Sequence, residues 1–141
     1  MLKDEIGFTA STTSKMIRSL VNGTLKPYGI TAEQWTVLKH LSFVDTINQK
    51  DLSIRTDKDQ ATLTKILDLL EHNGLISRKP NPEDRRSYLI EISDKGKNLV
   101  NTALPLIEEL YEDILAGLSK EQIETFMETL HTLQDNIRKL K

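Results

Sequence analysis

Apolar residues recur along most of the chain at the spacing of three and four residues that is typical of amphipathic helices. The pattern predicts six helices, over about residues 4–25, 31–43, 48–55, 59–72, 93–115 and 119–140. The clearest apolar stripe lies on the fourth helix and consists of Leu63, Ile66, Leu67 and Leu70. Capping boxes at Thr31–Gln34 and Ser119–Gln122 predict the starts of the second and sixth helices. Pro105 lies inside the fifth helix and is expected to kink it or split it.

Between the fourth and fifth helices the apolar period changes from 3.6 to 2, which indicates strands. Leu75–Lys79 and Tyr88–Ile92 are the two predicted strands. Alternation directs three side chains of the second strand toward the helices: Tyr88, Ile90 and Ile92. The intervening segment Pro80–Ser87 is too long for a tight turn, so we expect a protruding loop. The fold class predicted is mainly α (α+β), because helix, short helix, helix and hairpin form the order of a winged helix-turn-helix.

The amino-acid composition limits the functions that such a domain can have. The chain has 141 residues and a formal net charge of −2. Residues 48–97 hold ten Lys/Arg and nine Asp/Glu, whereas residues 101–141 hold four and eight. A nearly neutral middle binds nucleic acid only if its cations gather on one face. No cysteine is present, which excludes disulfides and thiol chemistry. Because neither a membrane-spanning run nor a signal peptide is found, we expect a cytoplasmic protein.

The start of the fourth helix carries side chains that can reach base edges in a major groove. Gln60 can pair with adenine, the methyl groups of Ala61 and Thr62 can meet a thymine methyl, and Lys65 can reach guanine or phosphate. Thr64 and the preceding Lys58 complete the predicted set. The alternative is an ordinary solvated helix face.

The predicted hairpin tip carries Asp84-Arg85-Arg86. A protruding arginine suits a narrow minor groove, where negative potential is concentrated. Asp84 is expected to hold the Arg86 guanidinium in a bidentate pair, and Arg85 is expected to contact phosphate. Arg78 and Lys79 at the base of the hairpin are expected to add phosphate contacts. The alternative here is a solvated charged loop.

The last helix carries an apolar seam with the alternating three- and four-residue spacing of a coiled coil. The chain has no second domain to cover the seam, so we expect a C2 homodimer. The predicted seam consists of Ile123, Phe126, Leu130, Leu133, Ile137 and Leu140.

The chain resembles the MarR (multiple-antibiotic-resistance regulator) family from about Leu25 to Gly96. The matching residues are Leu25, Pro27, Gly29-Ile30-Thr31, Gln34-Trp35, Val37-Leu38, Leu52, Thr62-Leu63-Thr64, Asp68, Leu70-Glu71, Gly74-Leu75-Ile76, Arg78, Pro82, Asp84-Arg85-Arg86, Ile90, Ile92-Ser93 and Gly96. One departure is the turn Thr56–Asp59, which replaces an apolar, glycine-containing turn.

The resemblance implies a regulator, usually a repressor, that binds a near-palindromic DNA operator as a homodimer. It implies dimerisation through residues 1–30, including Ile6, and through residues 97–141, with residues 31–96 as the DNA-binding part. It assigns the fourth helix to the major groove and Arg86, held by Asp84, to the minor groove. It also implies release of DNA by a small phenolic or lipophilic molecule. The cleft expected for that molecule is lined by Met16, Leu20, Trp35, His40 and Tyr111.

Two other classes of function remain as alternatives. A winged helix can serve as a protein-contact module, although such a wing would carry exposed apolar anchors in place of arginines. An enzyme is not expected, because no catalytic triad order, phosphate loop or metal-ligand spacing occurs. His40, His72 and His131 lie far apart in the sequence, so neither a metal nor another cofactor is expected.

Overall fold

The computed structural model describes all residues, 1–141, and contains six α-helices, one short 3-10 helix (Lys26–Tyr28) and three strands. No helix combines the length and apolar character needed to cross a membrane. In chain order the elements are α1 (Glu5–Leu25), α2 (Ala32–Leu41), β1 (Ile47–Asn48), α3 (Gln49–Thr56), α4 (Gln60–His72), β2 (Ile76–Asn81), β3 (Asp84–Ile92), α5 (Asp94–Ile114) and α6 (Lys120–Leu140). The predicted winged helix-turn-helix with long terminal helices is confirmed.

The helix starts are fixed by side chains that accept hydrogen bonds from otherwise unpaired backbone amides. Both predicted capping boxes form, one at Thr31 with Gln34 and one at Ser119 with Gln122. Asn48 caps α3 in a similar way. These caps depend on residues three apart in the sequence, which is why the helix starts could be predicted locally.

The chain divides into two compact units, Met1–Leu110 and Tyr111–Lys141. The first unit contains the whole winged helix, and α4 contributes the predicted stripe to its core. Leu63, Leu67 and Leu70 are fully buried, and Ile66 is nearly so. Each such side chain contributes about 1.5–3 kcal/mol of hydrophobic stabilisation. The stripe therefore fixes which face of α4 points inward and leaves the opposite face in solvent.

The sheet has the order β1-β3-β2 and is antiparallel throughout. β1 was not predicted, because two residues are too few to show a period. It pairs Ile47 with Ile90 and Asn48 with Leu89. Strands β2 and β3 pair Ile76 with Ile92 at the base of the hairpin. Ile90 and Ile92 are buried, as predicted.

The prediction of a long protruding loop over Pro80–Ser87 is wrong. Both strands continue to the tip, where Pro82 and Glu83 form the turn and Asn81 pairs with Asp84. The extra residues instead form a bulge in β3, because the register passes from Pro80–Tyr88 directly to Asn81–Asp84. Arg85, Arg86 and Ser87 therefore have no partner on β2.

Tyr88 lies on the same strand face as Ile90 and Ile92, beside the starts of α3 and α4, but unlike them it is 54% exposed. Of the two effects expected of Pro105, the split does not occur, because α5 runs unbroken from Asp94 to Ile114. Pro105 is exposed, so the carbonyl group that loses its hydrogen bond to the missing amide can be hydrated.

Two backbone features define the junctions on either side of α4 and the hairpin. Asp57 ends α3 in the left-handed conformation, with φ of 52°, and is the only residue other than glycine with positive φ. This explains the departure at Thr56–Asp59, since aspartate tolerates the left-handed region better than most residues. At the start of α5, a Cβ on Gly96 would overlap the carbonyl oxygen of Leu75 and lie 2.6 Å from Ile92. Only glycine lets α5 pack this closely on the base of the hairpin.

The second unit contains α6, none of whose residues is buried. Four of its six seam residues are exposed, with Phe126 at 60% and Ile137 at 52%, whereas Ile123 and Leu130 are half-buried. The coiled-coil spacing predicted from the sequence therefore lies on an uncovered helix.

Candidate nucleic-acid interface

The first turn of α4 is capped by Asp59 and carries several exposed side chains. Asp59 accepts a hydrogen bond from the Thr62 amide at 2.7 Å and one from the Thr62 hydroxyl at 3.1 Å. These bonds hold the pKa of Asp59 below its ordinary value, so it stays charged at neutral pH. Gln60, Ala61, Thr62 and Lys65 are exposed around this turn. The arrangement leaves amide, methyl and ammonium groups free on one helix face.

Thr64 differs from its exposed neighbours because its hydroxyl is already used within the chain. It accepts a hydrogen bond from the Gln49 side chain at 2.7 Å and donates one to the Gln60 carbonyl at 2.8 Å. Gln49 thereby joins α3 to the first turn of α4. Lys58, which is half-buried, donates its backbone amide to the Ser53 carbonyl at 3.0 Å. Both residues help to position α4, and their predicted DNA contacts stay predictions.

The wing is the hairpin beyond Lys79, and its tip is closed by short polar bonds. The Glu83 amide donates to Asn81 Oδ1 at 3.0 Å, and Asn81 Nδ2 donates to Ser87 Oγ at 3.1 Å. Arg85 and Arg86 are exposed on the bulge, and neither guanidinium has an acceptor within the chain. The tip therefore presents two free positive charges on a closed turn.

Asp84 does not hold the Arg86 guanidinium as predicted. Its Oδ1 instead accepts the backbone amide of Arg86 at 3.0 Å, and no ion pair joins the two side chains. A spacing of two residues suits this turn-type bond to the backbone better than a bidentate ion pair. Asp84 thus shapes the bulge, and the Arg86 side chain remains free.

Arg78 and Lys79 are both paired with carboxylates within the chain. The Arg78 guanidinium donates from one nitrogen to Asp68 at 2.7 Å and to Glu71 at 2.8 Å. Lys79 pairs with Glu91 on the neighbouring strand at 2.6 Å. The phosphate contacts expected of these two residues stay predictions. Sequence spacing could not reveal these partners, which lie 7, 10 and 12 residues away.

A groove of about 450 Å³ runs between the starts of α3 and α4 and the wing tip. Its lining combines the expected Gln60 and Arg86 with Lys50 and Tyr88, which the sequence analysis missed. Both are exposed, and a positively charged or aromatic residue beside a hairpin is too common a pattern to identify them. The groove brings the exposed end of α4 and the free arginine of the wing to one site.

The residues predicted to line an effector cleft differ in exposure. Met16 and Leu20 on α1 are exposed, whereas Trp35 is only 4% exposed and belongs to the core. His40 is half-buried, and its Nδ1 lies 2.8 Å from the Thr36 carbonyl oxygen. Tyr111 is half-buried and belongs to the second unit. Trp35 and His40 thus have structural roles within α2, and the cleft stays a prediction.

No group of three or more His, Cys, Asp or Glu side chains is arranged to hold a metal ion. Several acidic residues near the interface are engaged within the chain. Asp59 caps α4, Asp68 and Glu71 bind Arg78, and Asp84 binds a backbone amide. The Glu83 carboxylate also lines the groove, so the site offers hydrogen-bonding groups, the positive charges of Lys50 and Arg86, and an acidic edge at the tip.

Comparisons with known proteins match this arrangement. Residues 30–88 match the sequence model of the MarR family. The uncharacterized HTH-type transcriptional regulator YdgJ of Bacillus subtilis is 29% identical over 113 residues, which are 80% of this chain and 69% of that protein. The family match spans α2, α3, α4 and the hairpin as far as Tyr88.

Two solved structures are also similar over nearly the whole chain. A cysteine-to-serine mutant of MarR from E. coli, crystallised with operator DNA, has a TM-score of 0.86 at 26% identity and covers 94% of this chain and 98% of its own. A probable transcriptional regulator from Pseudomonas aeruginosa has a TM-score of 0.85 at 29% identity, and the match covers 94% of this chain and 99% of the other. The long terminal helices therefore belong to the shared fold together with the winged helix.

Proposed function

We propose that the chain is a MarR-family transcription regulator and that it represses transcription by binding a near-palindromic DNA operator as a homodimer. Family members are regulators and not enzymes, in agreement with the sequence analysis. The single observation that carries the proposal is the groove between Gln60 and Arg86. It joins an exposed recognition surface on α4 to a free arginine on the wing, with two positively charged residues on its lining.

We assign α4 to the major groove. Its buried stripe points the opposite face outward, where Gln60, Ala61 and Thr62 lie at the helix start. Such residues read base edges through amide pairing and methyl contacts. Lys65, one turn further along, reaches guanine or phosphate. The Asp59 cap keeps the first turn formed without DNA, so the reading surface is ordered before binding.

We assign Arg86 to the minor groove beside the recognition helix. Its guanidinium has no acceptor in the chain, so no internal ion pair is lost on binding. Asp84 supports it indirectly by fixing the backbone of the bulge. Arg85, adjacent and equally exposed, contacts the flanking phosphates. A narrow, A·T-rich minor groove suits Arg86 best because its negative potential is strongest.

Lys50 and Tyr88 are the residues that we propose for the DNA backbone between the two grooves. They line the space between the recognition helix and the wing, which a phosphate strand crosses when α4 and Arg86 occupy adjacent grooves. An ammonium and a phenol hydroxyl both donate to phosphate oxygens. They take the roles first assigned to Arg78 and Lys79, whose charges are paired internally.

Homodimerisation is supported by the uncovered seam of α6, together with exposed apolar residues such as Ile6 on α1. A seam with coiled-coil spacing favours a second helix of the same kind, and a C2 dimer buries both copies at once. Such a dimer presents two recognition helices about 34 Å apart, one turn of DNA. A near-palindromic operator follows from that symmetry.

We also propose release by a small phenolic or lipophilic molecule, with Met16, Leu20, Trp35, His40 and Tyr111 as the predicted contacts. Support comes from the similarity to the MarR family and from the exposed apolar surface of Met16 and Leu20 on α1. The alternative of a protein-contact wing is not favoured. Tyr88 is the only exposed large apolar residue on the hairpin, whereas an apolar docking surface would need several.

The proposal is tested by selecting bound fragments from random-sequence DNA with the full-length protein. We expect enrichment of an inverted repeat whose half-site centres lie about 10 base pairs apart, with an A·T-rich step outside each half-site. A matched pool with scrambled half-sites serves as the control. Enrichment of no sequence, with binding that depends only on salt, would contradict the proposal.

A further inference from the structure

The hairpin is fastened to the rest of the first unit at its base and, on the β3 side, by the pairing of β1 with Leu89 and Ile90. Ser93 donates to the Gly74 carbonyl at 2.6 Å, and Lys95 donates to the Asn73 carbonyl at 2.8 Å. Gly96 lets α5 pack against Leu75 and Ile92. Further along the hairpin, the side-chain bonds of Lys79, Asn81 and Asp84 all remain within the hairpin.

Arg78 is the exception, because it reaches from β2 to the recognition helix. Its guanidinium bonds to Asp68 and Glu71, one turn apart on α4, and its side chain is only 19% exposed. The hydrogen bond from Arg78 lowers the pKa of Glu71, and the bond to Glu71 raises the pKa of Arg78. Glu71 and Arg78 are therefore both charged at neutral pH. This is the outermost side-chain bond between the hairpin and α4.

We propose that Arg78 is a positioning residue that fixes the wing relative to the recognition helix, so that Arg86 and Gln60 reach adjacent grooves together. The inference rests on the proposed DNA binding and assigns Arg78 a different part in it from the phosphate contact expected from sequence. Two acceptors on one helix hold the guanidinium in a single orientation. The wing beyond Arg78 then leaves the helix at a fixed angle, and less ordering is required when DNA binds.

A double-mutant cycle between Arg78 and Arg86 tests the proposal on a selected operator. In the parent protein, Arg86→Ala is expected to weaken binding by about tenfold or more. In an Arg78→Met background the same change is expected to weaken binding by less than about threefold, because a mobile wing has already lost most of the Arg86 contact. A merely structural role, or a separate phosphate contact, predicts the same factor in both backgrounds, and that result would overturn the proposal.

Two further variants distinguish the loss of the bonds between Arg78 and α4 from the change in net charge. Asp68→Ala with Glu71→Ala removes both acceptors and makes the net charge more positive, whereas Arg78→Met removes the donor and makes the net charge more negative. In both of these backgrounds, Arg86→Ala is expected to weaken DNA binding by the same reduced factor. Lys79→Met is the matched control, because Lys79 neighbours Arg78 but pairs only with Glu91 inside the hairpin. It is expected to leave the full Arg86 effect, and loss of that effect in Lys79→Met would contradict the assignment.

Hydrogen exchange without DNA distinguishes failure of this inference from failure of the proposed function. Arg78→Met is expected to speed exchange of amides in residues 81–88 and leave the α1 and α2 amides unchanged. Unchanged exchange at the tip would overturn the positioning role even if the protein binds DNA. If Arg78→Met speeds amide exchange at the tip but the parent protein binds no specific DNA, the positioning role of Arg78 stands and the proposed function is wrong.

Discussion

Leu130→Asp is expected to convert the proposed homodimer into monomers. Leu130 lies at the middle of the α6 seam, so twofold symmetry places the substitution on both sides of the interface. Each copy forfeits about 2 kcal/mol of apolar burial, or about 4 kcal/mol per dimer, and an uncompensated carboxylate adds to the cost. Light scattering checks the result as a halved molar mass at micromolar concentration.

Thr132→Asp is the matched control for this prediction. Thr132 is exposed on the same helix but lies about 200° around it from Leu130, away from the seam. The control is expected to keep the dimer mass. A dimer mass for Leu130→Asp, or an equal loss for both variants, would count against the seam as the interface.

Arg86→Ala is expected to lower operator affinity by about 1–3 kcal/mol while leaving the fold intact. The side chain is exposed and bonds to nothing in the free chain, so its removal costs the folded state little. On DNA it removes a charge from the minor groove, and with it the preference for A·T pairs outside each half-site. Fluorescence anisotropy on operators with A·T or G·C flanks measures both effects.

Arg85→Ala deletes the same charge one residue away and serves as the control. It is expected to weaken binding to both flanks by the same factor and to reduce the salt dependence of binding, as removal of a phosphate contact does. If Arg86→Ala binds as tightly as the parent at every salt concentration, the assignment of the wing to the minor groove is wrong.

The helices of this protein could be predicted because their determinants are local. The α4 stripe repeats within two turns, and Thr31 and Ser119 bond to amides three residues away. The family resemblance rests on the same segments. The approximate positions of Gln60 and Arg86 at the two ends of the site followed from element order alone.

The features that could not be predicted depend on contacts that sequence spacing does not encode. Arg78 is a cation at the base of a hairpin, and nothing in that position indicates that it binds Asp68 and Glu71 on another element. The bulge in β3 depends on side-chain bonds across the tip, so an apparent eight-residue loop became two longer strands with an irregular register. Lys50 joined the site only when folding placed α3 beside the wing. The Arg78 ion pairs, the β3 bulge and the position of Lys50 all depend on tertiary packing.

The most direct test of the central claim is hydroxyl-radical footprinting of the full-length protein on its selected operator. A homodimer with two α4 helices in adjacent major grooves and an Arg86 in each outer minor groove predicts a twofold-symmetric pattern. Protected stretches should repeat about every 10 base pairs, and Arg86→Ala should lose only the two outer ones. A single asymmetric footprint, or outer protection that survives Arg86→Ala, would contradict it.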